Sequence, residues 1–321
     1  MKAVQVNAYG EPPELVEISS PGEPGTFRDS MVGPAEIVEV LIAGINPVDL
    51  AIASGKFDAG APPLPYTPGL EGIGRMADGE TVWFDGCHFP NGSMAELAVI
   101  GEGSGITLPP GMTPERAIGF GVAGLAAWTS LEWRGQLKDG ETVLILGASG
   151  VVGQIAVQAA GMMGAGRVVG MARSESGQAK ALQLGADAVI GSDGEIEDMV
   201  ARIHDATEGG PDLVIDGLWG KPAAAALRTM KPQGRLVQVG NSAGTEAPVV
   251  AGPLRGGLVS VLGFRNVWVP REVRVESFQR MCSLAATGEL DLDVEVLPLE
   301  DVAEAWGRQS RSPGHKLALR P

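Results

Sequence analysis

Between residues 143 and 239 the apolar positions come in short strand-like runs, with stretches of helical spacing between them. The runs are Val143–Leu146, Arg167–Ala172, Ala188–Ile190, Asp212–Asp216 and Arg235–Val239; the stretches between them are Gln154–Met163, Ser174–Leu184, Ile196–Thr207 and Pro222–Met230. Continuous apolar runs suit strands buried on both faces, and helical crossovers between them require those strands to be parallel. The pattern predicts a doubly wound α/β sheet. The first hundred residues differ. Ala3–Val6, Leu15–Ile18, Glu36–Leu41, Thr81–Phe84 and Met94–Val99 are short alternating runs split by turns rich in Pro and Gly, which predicts a small, partly open β-barrel. A helical stretch over Pro114–Leu131 leads onward. From about Leu290 a strand, the helix Leu299–Arg308 and the strand Lys316–Leu319 read as a return to the first domain. The expected organisation is a barrel domain of residues 1–120 plus 289–321, a nucleotide-binding domain of residues 121–288 inserted into it, and a cleft between the two.

The junction of the first buried run with its helix reads Leu146-Gly147-Ala148-Ser149-Gly150-Val151-Val152-Gly153. Small residues here let the backbone pass close to a diphosphate, Gly153 lets the helix lie on the sheet, and the free N–H groups of the helix start face the negative charge. Ala148, Ser149, Gly150, Val151, Val152 and Gly153 are thus candidate cofactor contacts. Ala148 stands where the fingerprint has its first glycine, and a turn that only packs helix on sheet is the alternative reading. About 20 residues further on, an acidic side chain would select a free ribose 2′-hydroxyl. The chain has Arg173-Ser174 there instead. A guanidinium and a hydroxyl suit a 2′-phosphate, so the expected cofactor is NADPH. Glu175, next in line, speaks against it, and a solvated residue at a helix start is the alternative reading of Arg173.

Composition narrows the partners. With 39 acidic against 24 basic side chains the net charge is −15, which repels a phosphate backbone and disfavours nucleic acid. No apolar run approaches the roughly 20 residues of a membrane span, and the start of the chain alternates like a strand rather than a signal peptide. Two cysteines, Cys87 and Cys282, offer no disulfide framework. A cytoplasmic protein with free thiols is expected.

Six segments, in order, resemble the medium-chain dehydrogenase/reductase superfamily, and within it the zinc-free, zeta-crystallin-like quinone oxidoreductase branch. They are Ala43-Gly44-Ile45-Asn46-Pro47-Val48-Asp49, Pro68-Gly69-Leu70-Glu71-Gly72, Gly124-Leu125-Ala126-Ala127-Trp128-Thr129, Gly147 to Gly153, Leu184-Gly185-Ala186-Asp187 and Gly314-His315-Lys316-Leu317. The resemblance implies a Rossmann cofactor domain inserted into a smaller GroES-like catalytic barrel, the use of NADPH, and a homodimer. The branch also has metal-dependent cousins, whose zinc ligands lie in segments that here carry no cysteine, with Leu70 in place of the histidine before Glu71. A catalytic zinc needs three protein donors, so no metal is expected. Glu71 is expected to pair with an arginine.

Without a metal to acidify an alcohol, the easier chemistry is reduction of a quinone or an α,β-unsaturated carbonyl, where hydride adds at carbon and the charge delocalises onto oxygen. The resemblance places Asn46 and Asp49 beside the nicotinamide as candidate catalytic residues, although Asn-Pro followed by Asp is also a good helix cap. It places Thr129 near the nicotinamide ribose, although a threonine in an apolar helix also bonds its own backbone. Gly240 and Asn241, at the carboxyl end of the fifth run, are expected at the carboxamide. Phe264 and Arg265, after the strand Val259–Leu262, are expected to cover the cofactor, with a solvated turn beside a dimer-edge strand as the alternative. Trp83, Phe84, Cys87, His88, Phe89 and Asn91 line a pocket for a flat substrate or serve the barrel core. Two other functions stay open: an enoyl-thioester reductase of the same superfamily, and a non-catalytic NADPH-binding redox sensor.

Overall fold

A computed structural model describes residues 1–21 and 34–321. They fall into two compact units, Met1–Val122 with Gln279–Thr287 and Leu292–Pro321, and Ala123–Phe278 with Gly288–Asp291. The strands of the first unit are β1 (Lys2–Gln5), β2 (Glu14–Glu17), β3 (Ala35–Ile45), β4 (Glu71–Arg75), β5 (Thr81–Asp85), β6 (Leu97–Gly101) and β7 (Ile106–Thr107). The second unit supplies β8 (Thr142–Leu146), β9 (Arg167–Ala172), β10 (Ala188–Gly191), β11 (Leu213–Asp216), β12 (Arg235–Gln238) and β13 (Ser260–Gly263), and the first unit resumes with β14 (Val294–Pro298) and β15 (Lys316–Arg320).

In the first unit the described strands form a sheet ordered β14-β15-β3-β4-β5-β7, with β6 added on β3 and β1 paired with β2 beside it. Long β3 is the organiser: it pairs antiparallel with β15, β4 and β6 and shifts register between Val40 and Ile42, so one strand bends through the curved sheet. Strand β4 is absent from the apolar pattern. Its sequence, Glu-Gly-Ile-Gly-Arg, looks like a turn. Packing explains the glycines: a Cβ on Gly72 would press on the Phe84 ring, and one on Gly74 would overlap Val38. The strand expected at Met94–Val99 is displaced to Leu97–Gly101, because Met94 and Ala95 are held elsewhere. The Met94 N–H donates to the Pro68 carbonyl at 3.0 Å, its carbonyl accepts from Val4, and Ala95 bridges Ala3.

The expected helix Pro114–Leu131 is broken. It is α2 (Pro114–Ala117), a 3-10 turn to Phe120, then α3 (Val122–Thr129) and a π turn to Arg134. At the break, a Cβ on Gly121 would overlap Glu71 and the Trp83 indole nitrogen, and the Val122 N–H donates to Glu71 Oε2 at 2.7 Å.

The second unit has the sheet that the strand-like runs foretell. Its order is β10-β9-β8-β11-β12-β13, parallel throughout. Helices α4 (Val151–Met162), α5 (Glu175–Gln183), α6 (Ile196–Ala206) and α7 (Gly220–Thr229) are the crossovers, and short α8 (Ala251–Gly257) precedes β13. Leu144, Leu146, Val169, Met171, Val214 and Leu236 from the strands make a core with Met199 and Ile203 of α6 and Ala223, Ala226 and Leu227 of α7. The strand order reverses direction at β8, so the carboxyl ends of β8 and its neighbours open at the switch point where such sheets bind ligands.

Candidate functional site

The turn after β8 is set by local contacts. Gly147 has a φ of +87°, a conformation that a side chain strains, and the N–H groups of Gly147 and Ala148 both donate to the Met171 carbonyl, at 3.0 and 2.9 Å. Gly153 cannot be larger, since its Cβ would overlap the Gly147 carbonyl oxygen. Buried Gln154 donates from Nε2 to the Ser149 carbonyl at 2.8 Å and locks the bend. Gly150 is the informative residue. It caps α4 with φ −79° and ψ 164°, which any residue adopts, and its Cβ would meet only the Gly147 oxygen at an ordinary 3.5 Å. Neither backbone nor packing requires glycine there, so the space above it is free for a ligand. The first-turn N–H groups of α4 have no acceptors inside the helix. The residues present fit a dinucleotide diphosphate.

At the end of β9, Arg173 and Ser174 are exposed. The Ser174 hydroxyl caps α5, accepting from the Gly177 N–H at 3.1 Å. Gly177 lies so near Ser149 that a Cβ would stand 2.6 Å from the serine Cβ, which brings the α5 start beside the glycine turn. Ser149, Arg173, Ser174 and the amino end of α5 thus gather around one face, a suitable seat for a 2′-phosphate. On a chain of net charge −15, this local positive potential is what an anionic cofactor needs.

Beyond β8 the sheet edge carries Gly240 and exposed Asn241 after β12, and half-buried Phe264 with exposed Arg265 after β13. The Gly240 N–H donates to the Asp216 carbonyl at 3.0 Å, and Phe264 N–H to the Gln238 carbonyl at 3.0 Å. Buried Thr129 donates its hydroxyl to the Leu125 carbonyl of its own helix at 2.7 Å.

Asn46 and Asp49 belong to the first unit, where Asn46 caps α1 (Pro47–Ala53). Asp49 Oδ2 accepts from the Asn46 N–H at 2.8 Å and Oδ1 from the Leu70 N–H at 3.1 Å. Burial pushes its carboxyl up to about 7, against those two hydrogen bonds and the Lys316 charge. The Asn46 side chain is fully engaged: Nδ2 donates to Glu71 Oε1 at 2.9 Å, and Oδ1 accepts from Lys316 Nζ at 2.7 Å. Glu71 also pairs with Lys316 at 2.6 Å and accepts from the Trp83 indole at 3.0 Å. The expected arginine partner is replaced by a lysine, because β15 pairs with β3 with Leu317 against Ile45 and so brings Lys316 to Asn46 and Glu71. Cys87 and His88 follow β5; the Cys87 thiol is raised by burial, and both His88 ring nitrogens are buried without a partner among the described residues. No group of three or more His, Cys, Asp and Glu that could hold a metal ion occurs among the described residues.

Two features here were not legible in the sequence. One is the lysine end of the buried pair; the closing Gly314-His315-Lys316-Leu317 segment was the available signal. The other is the turn of residues 216–220, where Trp219 has a positive φ.

Residues 151–284 match the family model described as zinc-binding dehydrogenase. The quinone oxidoreductase of Pongo abelii is 30% identical over 319 residues, covering 95% of this chain and 92% of the relative. That of Lama guanicoe is 29% identical, covering 98% and 95%. Among solved structures, the Escherichia coli quinone oxidoreductase complexed with NADPH is similar over 100% of both chains, with a TM-score of 0.87 and 26% identity. The Thermus thermophilus quinone oxidoreductase, also described in complex with NADPH, has a TM-score of 0.79 and 28% identity over 100% of both.

Proposed function

Because the chain belongs to the quinone oxidoreductase branch of the medium-chain dehydrogenase/reductase superfamily, we propose that it is an NADPH-dependent reductase of quinones and α,β-unsaturated carbonyls. The observation that carries the reading is the turn of residues 147–153, where Gly150 is glycine with no reason in the protein's own packing. We assign cofactor binding to the second unit. The α4 start and Gly150 hold the diphosphate, Ser149, Arg173 and Ser174 the 2′-phosphate, and Gly240, Asn241, Phe264 and Arg265 the remaining length; Thr129, buried with its hydroxyl donated to the Leu125 carbonyl, is assigned to its own helix. Bound there, NADPH supplies a hydride to a ring carbon of a quinone or to the β-carbon of an enone.

Substrate binding is assigned to the first unit. Asn46 and Asp49 are the residues of that unit we assign to reduction. Asn46 acts by position, since both its amide atoms are tied to Glu71 and Lys316. Asp49 also acts by position: it fixes the Leu70 backbone and the Asn46 N–H, with its carboxyl raised to about 7 by burial.

Purified protein is expected to consume NADPH, followed by its absorbance loss, with at least one member of a panel of quinones and enones. No turnover on any member rejects the enzymatic reading. Arg173→Ala is expected to weaken NADPH about tenfold or more while leaving NADH nearly unchanged, since a charge-assisted pair to a phosphate is what it removes. Equal losses for both cofactors would move the 2′-phosphate elsewhere.

We further propose a homodimer through β13. That strand pairs only with β12 among the described residues, and Leu258, Val267 and Trp268 around it are 71%, 70% and 77% exposed. An open edge flanked by apolar side chains is supplied with a partner by a second copy that continues the sheet. Val261→Lys is expected to halve the mass seen in sedimentation; an unchanged mass excludes this edge. No helix of the described residues is long and apolar enough to cross a membrane, and the two buried free cysteines support a cytoplasmic location, which fractionation of the producing cells checks.

A further inference from the structure

The turn that leaves β11 holds a tryptophan where the backbone is made for glycine. Trp219 has φ +58° and ψ −157°, at the edge of a region that side chains other than glycine's hardly enter. Gly220, next in line, has a positive φ of its own, +64°, yet Trp219 carries one too. The conformation is imposed from several directions. Asp216 Oδ1 accepts from both the Leu218 N–H, at 2.9 Å, and the Trp219 N–H, at 2.8 Å. The Gly217 carbonyl accepts from the Ser242 hydroxyl at 3.0 Å, and the Leu218 carbonyl from the Ala243 N–H at 2.8 Å. Strain held by so many bonds marks a position whose side chain has a task.

Its place on the sheet says which task. Along the order β9-β8-β11-β12, the end of β9 carries Arg173 and Ser174, the end of β8 the diphosphate turn, and the end of β12 the loop of Gly240 and Asn241. A dinucleotide laid across these ends with its 2′-phosphate at β9 and its diphosphate at β8 carries its nicotinamide and second ribose over β11 and β12. The turn of residues 216–220 touches both neighbours: a Cβ on Gly147 would stand 3.2 Å from the Leu218 side chain, and one on Gly240 would stand 2.9 Å from the Gly217 carbonyl oxygen. A second observation belongs to the same turn. Asp216 is 0% exposed, and its Oδ2 has no hydrogen-bond partner among the described residues, so the turn keeps one buried carboxyl oxygen unsatisfied.

We infer that Trp219 is a cofactor-positioning residue whose indole, half-buried against the core, lies on the nicotinamide–ribose half of NADPH. The inference rests on the NADPH reading above. Titration calorimetry with two probes tests it: NADPH, and adenosine 2′,5′-bisphosphate, which has only the adenosine end. Trp219→Ala is expected to weaken NADPH about tenfold, as loss of one aromatic contact does, and to leave the bisphosphate within about twofold. Trp219→Phe keeps a ring and most of the affinity. Trp219→Gly binds NADPH as poorly as Trp219→Ala but unfolds at a higher urea concentration, because glycine relieves the backbone. Equal NADPH affinity in Trp219→Ala and the unaltered protein overturns the inference, as does an equal loss for both probes. If the unaltered protein binds neither probe, the NADPH reading itself falls and takes this one with it.

Discussion

Lys316→Met is expected to lower the stability of the protein by about 3–5 kcal/mol in urea unfolding at neutral pH, the cost of stranding one member of a buried ion pair. Lys316 is 2% exposed and Glu71 0%. Their 2.6 Å contact is one strand of a closed network in which the Glu71 carboxylate also accepts from Asn46, Trp83 and Val122. Burial alone would push Glu71 up; the Lys316 charge, with these hydrogen bonds, outweighs it and holds the carboxyl below its ordinary 4.5. Its contribution is therefore complete above that unfolded value and is lost as pH falls through the lower folded one. The variant reverses the sign. Without the lysine, burial raises Glu71, so the variant loses stability as pH climbs, and its deficit should be largest near neutrality and shrink toward pH 4. The double variant Glu71→Gln with Lys316→Met, which carries no stranded charge, should recover much of the loss. A single variant as stable as the original at pH 7 would show that the pair holds nothing together.

That network also marks what the sequence leaves hidden. The parallel sheet was readable because strands covered on both faces are mostly apolar, and the runs at Val143–Leu146 and Asp212–Asp216 stand where β8 and β11 stand. The glycine turn was readable because its constraint is local: Gly153 is small on account of Gly147, six residues before it. Strand β4 was hidden because its glycines answer to Phe84 and Val38, which local pattern cannot supply. The break at Gly121 was hidden because Glu71 causes it, and the partner of Glu71 lies 245 residues further along. In Asp216-Gly217-Leu218-Trp219-Gly220, the glycines draw the eye and the tryptophan takes one of the strained positions. Steric demands that act across a few residues leave a mark in the sequence; those met by a distant strand do not.

Two alanines placed in the glycine turn should behave as opposites. At Gly153 a Cβ overlaps the Gly147 carbonyl oxygen, so Gly153→Ala must push α4 off the sheet, and overpacking of this kind costs about 1–3 kcal/mol of stability. At Gly150 the Cβ has room within the protein, 3.5 Å from the same oxygen, and the backbone angles suit alanine. Gly150→Ala should therefore lose less than about 1 kcal/mol, mostly the weaker capping of alanine. Its effect lies outside the protein. A methyl at the α4 start occupies the space above the first-turn N–H groups, and one lost charge-assisted hydrogen bond of about 1.5–3 kcal/mol already corresponds to roughly tenfold to over a hundredfold in affinity for NADPH. Calorimetry and urea unfolding on the two variants separate the effects. Should Gly150→Ala bind NADPH as tightly as the unaltered protein, the diphosphate does not rest on this turn, and a glycine with no packing reason to be one is left unexplained.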